Sequence, residues 1–240
     1  MEGTEIPASA DFVVDSNRCT TLGKAGVRLS TVEHVLAALA GCHIDNAIVE
    51  VEGPEMPILD GSSLPIIEAI ADAGISPQPA APRYIAVTKA LRTASDNGSS
   101  WLTAEPGDGF ELTVETQFND WPQGDARHTV DLSSGRVAFE AEFAMARTFA
   151  FYAEVAPLLA AGLAKGGSLD NVVIITPPDT FSTSLRIPGE WWRHKALDVV
   201  GDLALVNARL ACRIVAYRPG HTVNTRMAKA LLELGVMSGS

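Results

Sequence analysis

Between Glu190 and Val206 the chain reads EWWRHKALDVVGDLALV. His194, Asp198 and Asp202 recur there at i, i+4 and i+8, a spacing that lines them along one side of a helix. Most of the remaining helix surface is apolar: Leu197, Val200, Leu203, Ala204 and Val206. An imidazole and two carboxylates on such a helix are costly unless a cation or a hydrogen-bond network satisfies them. His194 and Asp198, one turn apart, have the geometry of two ligands on one ion, by the spacing logic that places two histidines in HExxH. An i,i+4 surface bridge is the plain alternative. A catalytic zinc site needs three protein ligands and an open position for water. The histidines available are His34, His43, His128, His194 and His221. His43 lies just beyond Gly41 and His128 falls in a polar loop. His34 has the better context, because Glu33 stands beside it.

Ser30-Thr-Val-Glu33 reads as a helix start, with Ser30 and Glu33 spaced as a capping box. That is the structural reading of Glu33; the chemical one is a base next to a metal ligand. Val32, Val35, Leu36 and Leu39 share one helical face, and His34, Ala37 and Ala38 the other. The expectation is a helix buried all round, in which His34 is either a hydrogen-bonded core residue or a ligand. An EH pair on one helix and an HxxxD on another would make a site of His34, His194 and Asp198 with Glu33 poised to activate water. His221 opens Gly220-His-Thr-Val-Asn224 at a helix start, where a protonated imidazole is disfavoured. A neighbouring carboxylate would offset that, and Asp202 is left over once Asp198 takes the metal. His221 would then donate a proton to a leaving amine; a helix-capping histidine is the alternative.

The elements that must carry these residues fall on either side of Ser76-Pro-Gln-Pro-Ala-Ala-Pro82, where closely spaced prolines suit neither helix nor central strand. The expected units are residues 1–78 and 79–240. The first holds a helix over Val27–Ala40, a strand over Ala47–Val51, a turn at Met56–Gly61 and a helix over Leu64–Ala73. The second begins with strands at Arg83–Leu91, Trp101–Ala104 and Phe110–Phe118. It continues with helices at Tyr152–Ala161, Trp191–Val206 and Thr222–Leu234, and a strand at Val172–Ile175. Strand runs followed by helices indicate an α+β fold.

Composition narrows the function. In 240 residues, 47% are hydrophobic and 20% charged, ordinary globular usage, and the formal net charge is −11. Nothing here resembles the basic footprint of a nucleic-acid binder. An anionic substrate would need a local basic pocket, for which Arg147, Lys165, Arg193 and Lys195 are the candidates. No transmembrane segment is expected, since the longest apolar stretch, Phe143 to Ala164, is broken by Arg147 and Glu154. The N-terminus lacks the pattern of a signal peptide, so the expected location is the cytoplasm. Cys19, Cys42 and Cys212 form no CxxC pair and read as buried apolar residues in a reducing compartment.

Taken together, the segments resemble the bacterial UDP-3-O-acyl-N-acetylglucosamine deacetylase family. They are CTTLGKAGVRLSTVEHVLAALAG (19–41), IDNAIVEVEGPEMPILDGSSLPIIEAI (44–70), ARTFAF (146–151), GLAKGGSLDNVVI (162–174), RHKALDVVGDL (193–203) and GHTVN (220–224). They run in the family's order over nearly the whole chain. The resemblance implies two similar α+β units with helices sandwiched between their sheets and the active site between the units. It implies zinc, with iron(II) as the other candidate, on His34, His194 and Asp198. Glu33 is implied as general base, and His221 as second catalytic residue, paired with Asp202. Thr148 is implied as hydrogen-bond donor to the oxyanion. Phe149 is implied in the substrate channel and Lys195 on the sugar nucleotide. The implied reaction is hydrolysis of the N-acetyl group of a UDP-linked acyl amino sugar, a step of lipid A synthesis.

Two departures from the family pattern stand out. The strands and Gly-rich loop that usually precede the segment starting here at Glu5 are not in this sequence, which implies a first sheet short of strands. Gly189 stands where an acid is expected before the metal histidine, and Pro177 to Pro188 corresponds to the insert that shapes the acyl passage. A rival reading is a non-catalytic paralogue that binds a sugar nucleotide or acyl chain. Oligomeric state is left open.

Overall fold

A computed structural model of the chain describes residues 3–162, 166–235 and 237–238. The first three strands, β1 (Val13–Asp15), β2 (Thr21–Lys24) and β3 (Val27–Leu29), form an antiparallel meander. Helices α1 (Glu33–Gly41) and α2 (Leu64–Ala73) follow. Next come β4 (Arg83–Ala86), β5 (Leu91–Ala94), β6 (Trp101–Pro106), β7 (Phe110–Thr116) and β8 (Ala126–Asp131). A short helix, α3 (Arg136–Phe139), continues as a wide turn over Glu140–Ala144. Then follow β9 (Thr148–Phe151), α4 (Tyr152–Ala160), β10 (Val172–Thr176) and β11 (Thr180–Phe181). The chain closes with α5 (Glu190–Leu203), β12 (Arg209–Tyr217), α6 (His221–Glu233) and β13 (Met237–Ser238). The architecture is α+β, as expected from the run of strands before the long helices.

The strand β12 organises the largest sheet. It pairs antiparallel with β6, parallel with β7 and, at its start, parallel with β4. Strands β5, β8 and β13 complete the seven. Leu210, Cys212, Ile214 and Ala216 alternate onto one buried face of β12, the period-2 signature of a half-covered sheet. Helices α5 and α6 cover the buried side, α1 packs on α5, and α2 packs on α1. A separate sheet, β11-β10-β9, carries a second apolar cluster around Trp121, Val173 and Ile175.

Several expected elements change. The helix expected from Val27 begins only at Glu33, because Val27–Leu29 pairs with β2 as a hairpin. Ala25 and Gly26 turn that hairpin with φ of 51° and 82°, as a tight right-twisted turn requires. Thr31, at φ 61°, then breaks any helical continuation. The α1 helix is not buried all round either: Val35, Leu39 and Ala40 are half-buried. The strand expected at Ala47–Val51 is irregular, with Ile48 91% exposed. Alternation alone does not make a strand when, among the described residues, no neighbour completes its ladder. The single strand expected over Arg83–Leu91 splits into β4 and β5, which pair with different partners. His128 lies in β8, stacked on the Trp192 ring at 4.0 Å, rather than in a loop. Cys42 and Cys212 are buried as expected, whereas Cys19 is half-exposed.

The contact that brings the site together is the crossing of α1 and α5. A Cβ built on Gly201 would lie 2.1 Å from the Glu33 carbonyl oxygen, so the two backbones touch where Gly201 has no side chain. Gly201→Ala is therefore expected to destabilise the fold by about 1–3 kcal/mol, the ordinary cost of overpacking a tight interior. Urea unfolding checks this, and a midpoint equal to that of the parent chain would show that the crossing has slack.

Candidate active site and metal centre

The first turn of α1 and the polar row of α5 meet at the crossing. The α1 helix has no side-chain cap; its N-cap position is Val32. The capping box expected from Ser30 and Glu33 is absent: Ser30 Oγ pairs with Thr21 Oγ1 at 3.0 Å, and Glu33 turns to the Thr20 backbone. Glu33 is thereby free of helix duty and lies buried in the interior.

His34, His194 and Asp198 converge, each offering one ligand atom within 4.8 Å of the others. All three are buried. The imidazoles of His34 and His194 meet edge to face with centroids 5.0 Å apart. His194 Nδ1 lies 3.0 Å from the Ala146 carbonyl, which can only accept, so the ring proton sits on Nδ1 and Nε2 is left for a ligand. Asp198 Oδ2 accepts from Lys195 Nζ at 3.0 Å. Asp198 Oδ1 is buried without a hydrogen-bond partner, 3.4 Å from His194 Nε2. Burial, reinforced by the neighbouring His194, pushes the His34 imidazole down to about 3. Burial also lowers His194 against the pull of Asp198. For Asp198, burial works against the charge, but Lys195 and the three surrounding imidazoles outweigh it and hold the carboxyl well below the usual range. Two neutral imidazoles and an ionised carboxylate with one orphaned oxygen form a donor set that fits a divalent ion of the zinc type.

Against this centre lies a second group of three. Glu33 Oε2 accepts from the Thr20 amide at 3.0 Å, and Oε1 lies 3.9 Å from His221 Nε2. Burial raises the Glu33 carboxyl to about 7; His221 draws it down, and Asp202 and Asp198 push it further up. His221, the first residue of α6, pairs through Nδ1 with Asp202 Oδ2 at 3.0 Å. Burial alone would discharge this imidazole, but the charge of Asp202 and the hydrogen bond to it, helped by Asp198 and Glu33, raise it to about 9. Asp202 also accepts from Asn224 Nδ2 at 2.9 Å and from Thr20 Oγ1. A carboxylate poised near neutrality beside an imidazolium is an arrangement for general base and general acid work.

Thr148 opens β9, its amide donating to the Gly61 carbonyl at 2.8 Å, two residues beyond the Ala146 carbonyl that orients His194. The Phe149 ring lies 5.6 Å from Lys195 Nζ and edge-on to Phe118. The basic pocket expected from four residues changes membership. Arg147 is buried and committed: it donates to Glu190 through its amide, Nε and Nη2, and to Thr183 Oγ1 and the Ser184 carbonyl. Arg193 is held by Glu142 and the Pro188 carbonyl. Lys165 lies outside the described residues. Lys195 stays at the site and is joined by Arg218, which sequence reasoning missed. Together with Phe118 and Gln117 they line a cavity of about 200 Å³. The one local signal for Arg218 was its place three residues before His221.

The family model described as UDP-3-O-acyl N-acetylglycosamine deacetylase matches residues 1–233. The UDP-3-O-acyl-N-acetylglucosamine deacetylase of Anaeromyxobacter dehalogenans (strain 2CP-C) is 42% identical over 234 residues, covering 96% of this chain and 74% of the relative. That of Idiomarina loihiensis is 40% identical over 233 residues, covering 95% and 74%. That of Legionella pneumophila (strain Paris) is 39% identical over 229 residues, covering 95% and 75%.

The raised His221 has a signed consequence for stability. Its folded value of about 9 exceeds the ordinary histidine value of 6.5, so its pairing stabilises the fold fully below pH 6.5 and that contribution is lost as pH rises through 9. An NMR titration of the His221 ring should therefore show a midpoint near 9. Asp202→Asn should move that midpoint down by roughly 1–3 units, the scale of a neighbouring opposite charge. An unmoved midpoint in the variant would show that Asp202 is not the partner holding the proton.

Proposed function

The chain belongs to the UDP-3-O-acyl N-acetylglycosamine deacetylase family, and from that premise we propose how its residues divide the work of removing an N-acetyl group. The substrate is a UDP-linked 3-O-acyl-N-acetylglucosamine, the products are acetate and the free amine, and the step belongs to lipid A biosynthesis. The observation that carries the reading is the orphaned Asp198 Oδ1, buried 3.4 Å from His194 Nε2 in a cluster completed by His34.

His34, His194 and Asp198 would hold the metal, zinc by preference and iron(II) as the other ion suited to imidazole and carboxylate. When bound, such an ion supplies a Lewis acid for the amide carbonyl and makes a water nucleophilic near neutral pH. Glu33 accepts the proton of the attacking water as its oxygen bonds to the acetyl carbon. The Thr148 hydroxyl donates a hydrogen bond to the oxygen that gains charge. His221 gives its proton to the amine nitrogen as the carbon–nitrogen bond breaks, and Asp202 keeps that imidazole charged and oriented beforehand.

Lys195 and Arg218 supply positive charge at the cavity beside the site and suit the diphosphate of the sugar nucleotide. Phe149 belongs to an apolar cluster with Phe118, Phe151 and Phe181, and Leu185 of the Pro177 to Pro188 segment packs against it; this cluster suits the acyl chain. Glu33 and His34 come from the unit 1–78 and the other site residues from the unit 79–240, so the active site lies between the two. No described helix is long and apolar enough to cross a membrane. The free cysteines fit a reducing compartment, and we place the reaction in the cytoplasm. A paralogue that only binds its ligand would have no use for the proton-handling group of Glu33, His221 and Asp202.

Metal analysis with an acetate-release assay tests the reading. Glu33→Gln should keep the metal and lose about 10²- to 10⁴-fold in kcat, the usual worth of a positioned base. Undiminished turnover in that variant would reject the base. His194→Ala should lose stoichiometric metal as well as activity; full metal occupancy there would reject the ligand set.

A further inference from the structure

One buried residue touches both Glu33 and Asp202 and has no part in the scheme above. Thr20 is fully buried at the entry to β2. Its amide donates to Glu33 Oε2 at 3.0 Å, and its carbonyl accepts from the Val32 amide at 3.3 Å. Its Oγ1 donates to Asp202 Oδ1. Asp202 Oδ2 is shared by His221 Nδ1 and Asn224 Nδ2, so among the described residues Thr20 is the sole partner of Oδ1. One residue thus holds the carboxylate of the base through its backbone and the carboxylate behind the acid through its side chain.

We infer that Thr20 is a positioning residue of the deacetylase, coupling the orientation of Glu33 to that of the Asp202–His221 pair. A carboxylate held at both oxygens cannot swing about its Cβ–Cγ bond, so Oδ2 keeps facing His221 Nδ1. Removing the hydroxyl strands a buried acceptor, and Asp202 regains partners only by turning. The His221 ring then leaves its line to the amine, and Glu33, 3.9 Å from His221 Nε2, loses its fixed neighbour. Thr20 meets neither substrate nor metal in this account. Its effect falls on the rate of the proton transfers, whereas binding is untouched.

The inference rests on the hydrolytic reading of the site, and the test separates the two. Thr20→Val removes Oγ1 while keeping shape and backbone, and Thr20→Ser restores it. In the acetate-release assay Thr20→Val should lower kcat by roughly 10- to 100-fold, the cost of a small misplacement of a catalytic group, with KM and metal content unchanged. Thr20→Ser should recover most of the loss. On an Asp202→Ala background Thr20→Val should cost less than about 2-fold, because a contact acting through Asp202 has nothing left to act on. Equal losses on both backgrounds, or a Thr20→Ser variant as slow as Thr20→Val, would overturn the inference.

The low-field Nδ1–H resonance of His221 provides a readout that needs no turnover. It should shift in Thr20→Val and stay in place in Thr20→Ser. Should Thr20→Val fail to fold, Thr20→Ala deletes the same hydroxyl and carries the same comparisons. A parent chain without activity whose His221 resonance still responds as described would reject the hydrolytic reading and leave the positioning contact standing. An unresponsive resonance rejects the contact itself.

Discussion

The constraint on which the site depends is the contact between the backbone of Glu33 and the bare Cα of Gly201. The metal-binding trio, Glu33 and Asp202 all lie within two turns of it. His194 and Asp198 precede Gly201 on α5, Asp202 follows it, and Glu33 and His34 form the first turn of α1. A side chain at that crossing would separate the two rows, and ligand atoms now within 4.8 Å of one another would drift apart. The requirement for a glycine is set by the site, since in the interior of a helix the residue is itself unfavourable.

Asp198 and Asp202 show how neighbours give one side chain two uses. They stand one turn apart on the same face. Asp198 has a single charged partner, Lys195, on one oxygen and leaves the other unsatisfied toward the imidazoles. Asp202 is saturated, with donors on both oxygens, one of them a charged imidazole. A buried carboxylate with a free lone pair among neutral rings suits a cation; a satisfied one suits an organising role. The split of His34, down to about 3, from His221, up to about 9, follows the same division.

Arg147 is an instance of a charge whose work is mechanical. With Glu190 it forms a buried pair whose guanidinium also reaches the Thr183 hydroxyl and the Ser184 carbonyl. Such a pair contributes little net stability against hydrophobic replacement, and breaking one half strands the other. Its position is more telling than its energy. It ties the start of α5 to the residue between Ala146, whose carbonyl orients His194, and Thr148.

Read from residue types and spacing, the chain already disclosed the α+β class, the long helices near Glu190 and His221, the polar row on α5 and the buried EH pair, because each of these is a periodicity within a few turns. Tertiary structure brings His34, which sequence context had already favoured, against the His194 ring, while His128 stacks on Trp192. It also withdrew Arg147 from substrate binding, brought in Arg218, and left the segment over Ala47–Val51 without a ladder among the described residues. The Thr20 contacts were invisible in advance, because they join residues 13 and 182 positions apart. Local sequence encodes which face of an element is polar. Which polar faces meet is a property of packing, and no spacing along the chain reports it.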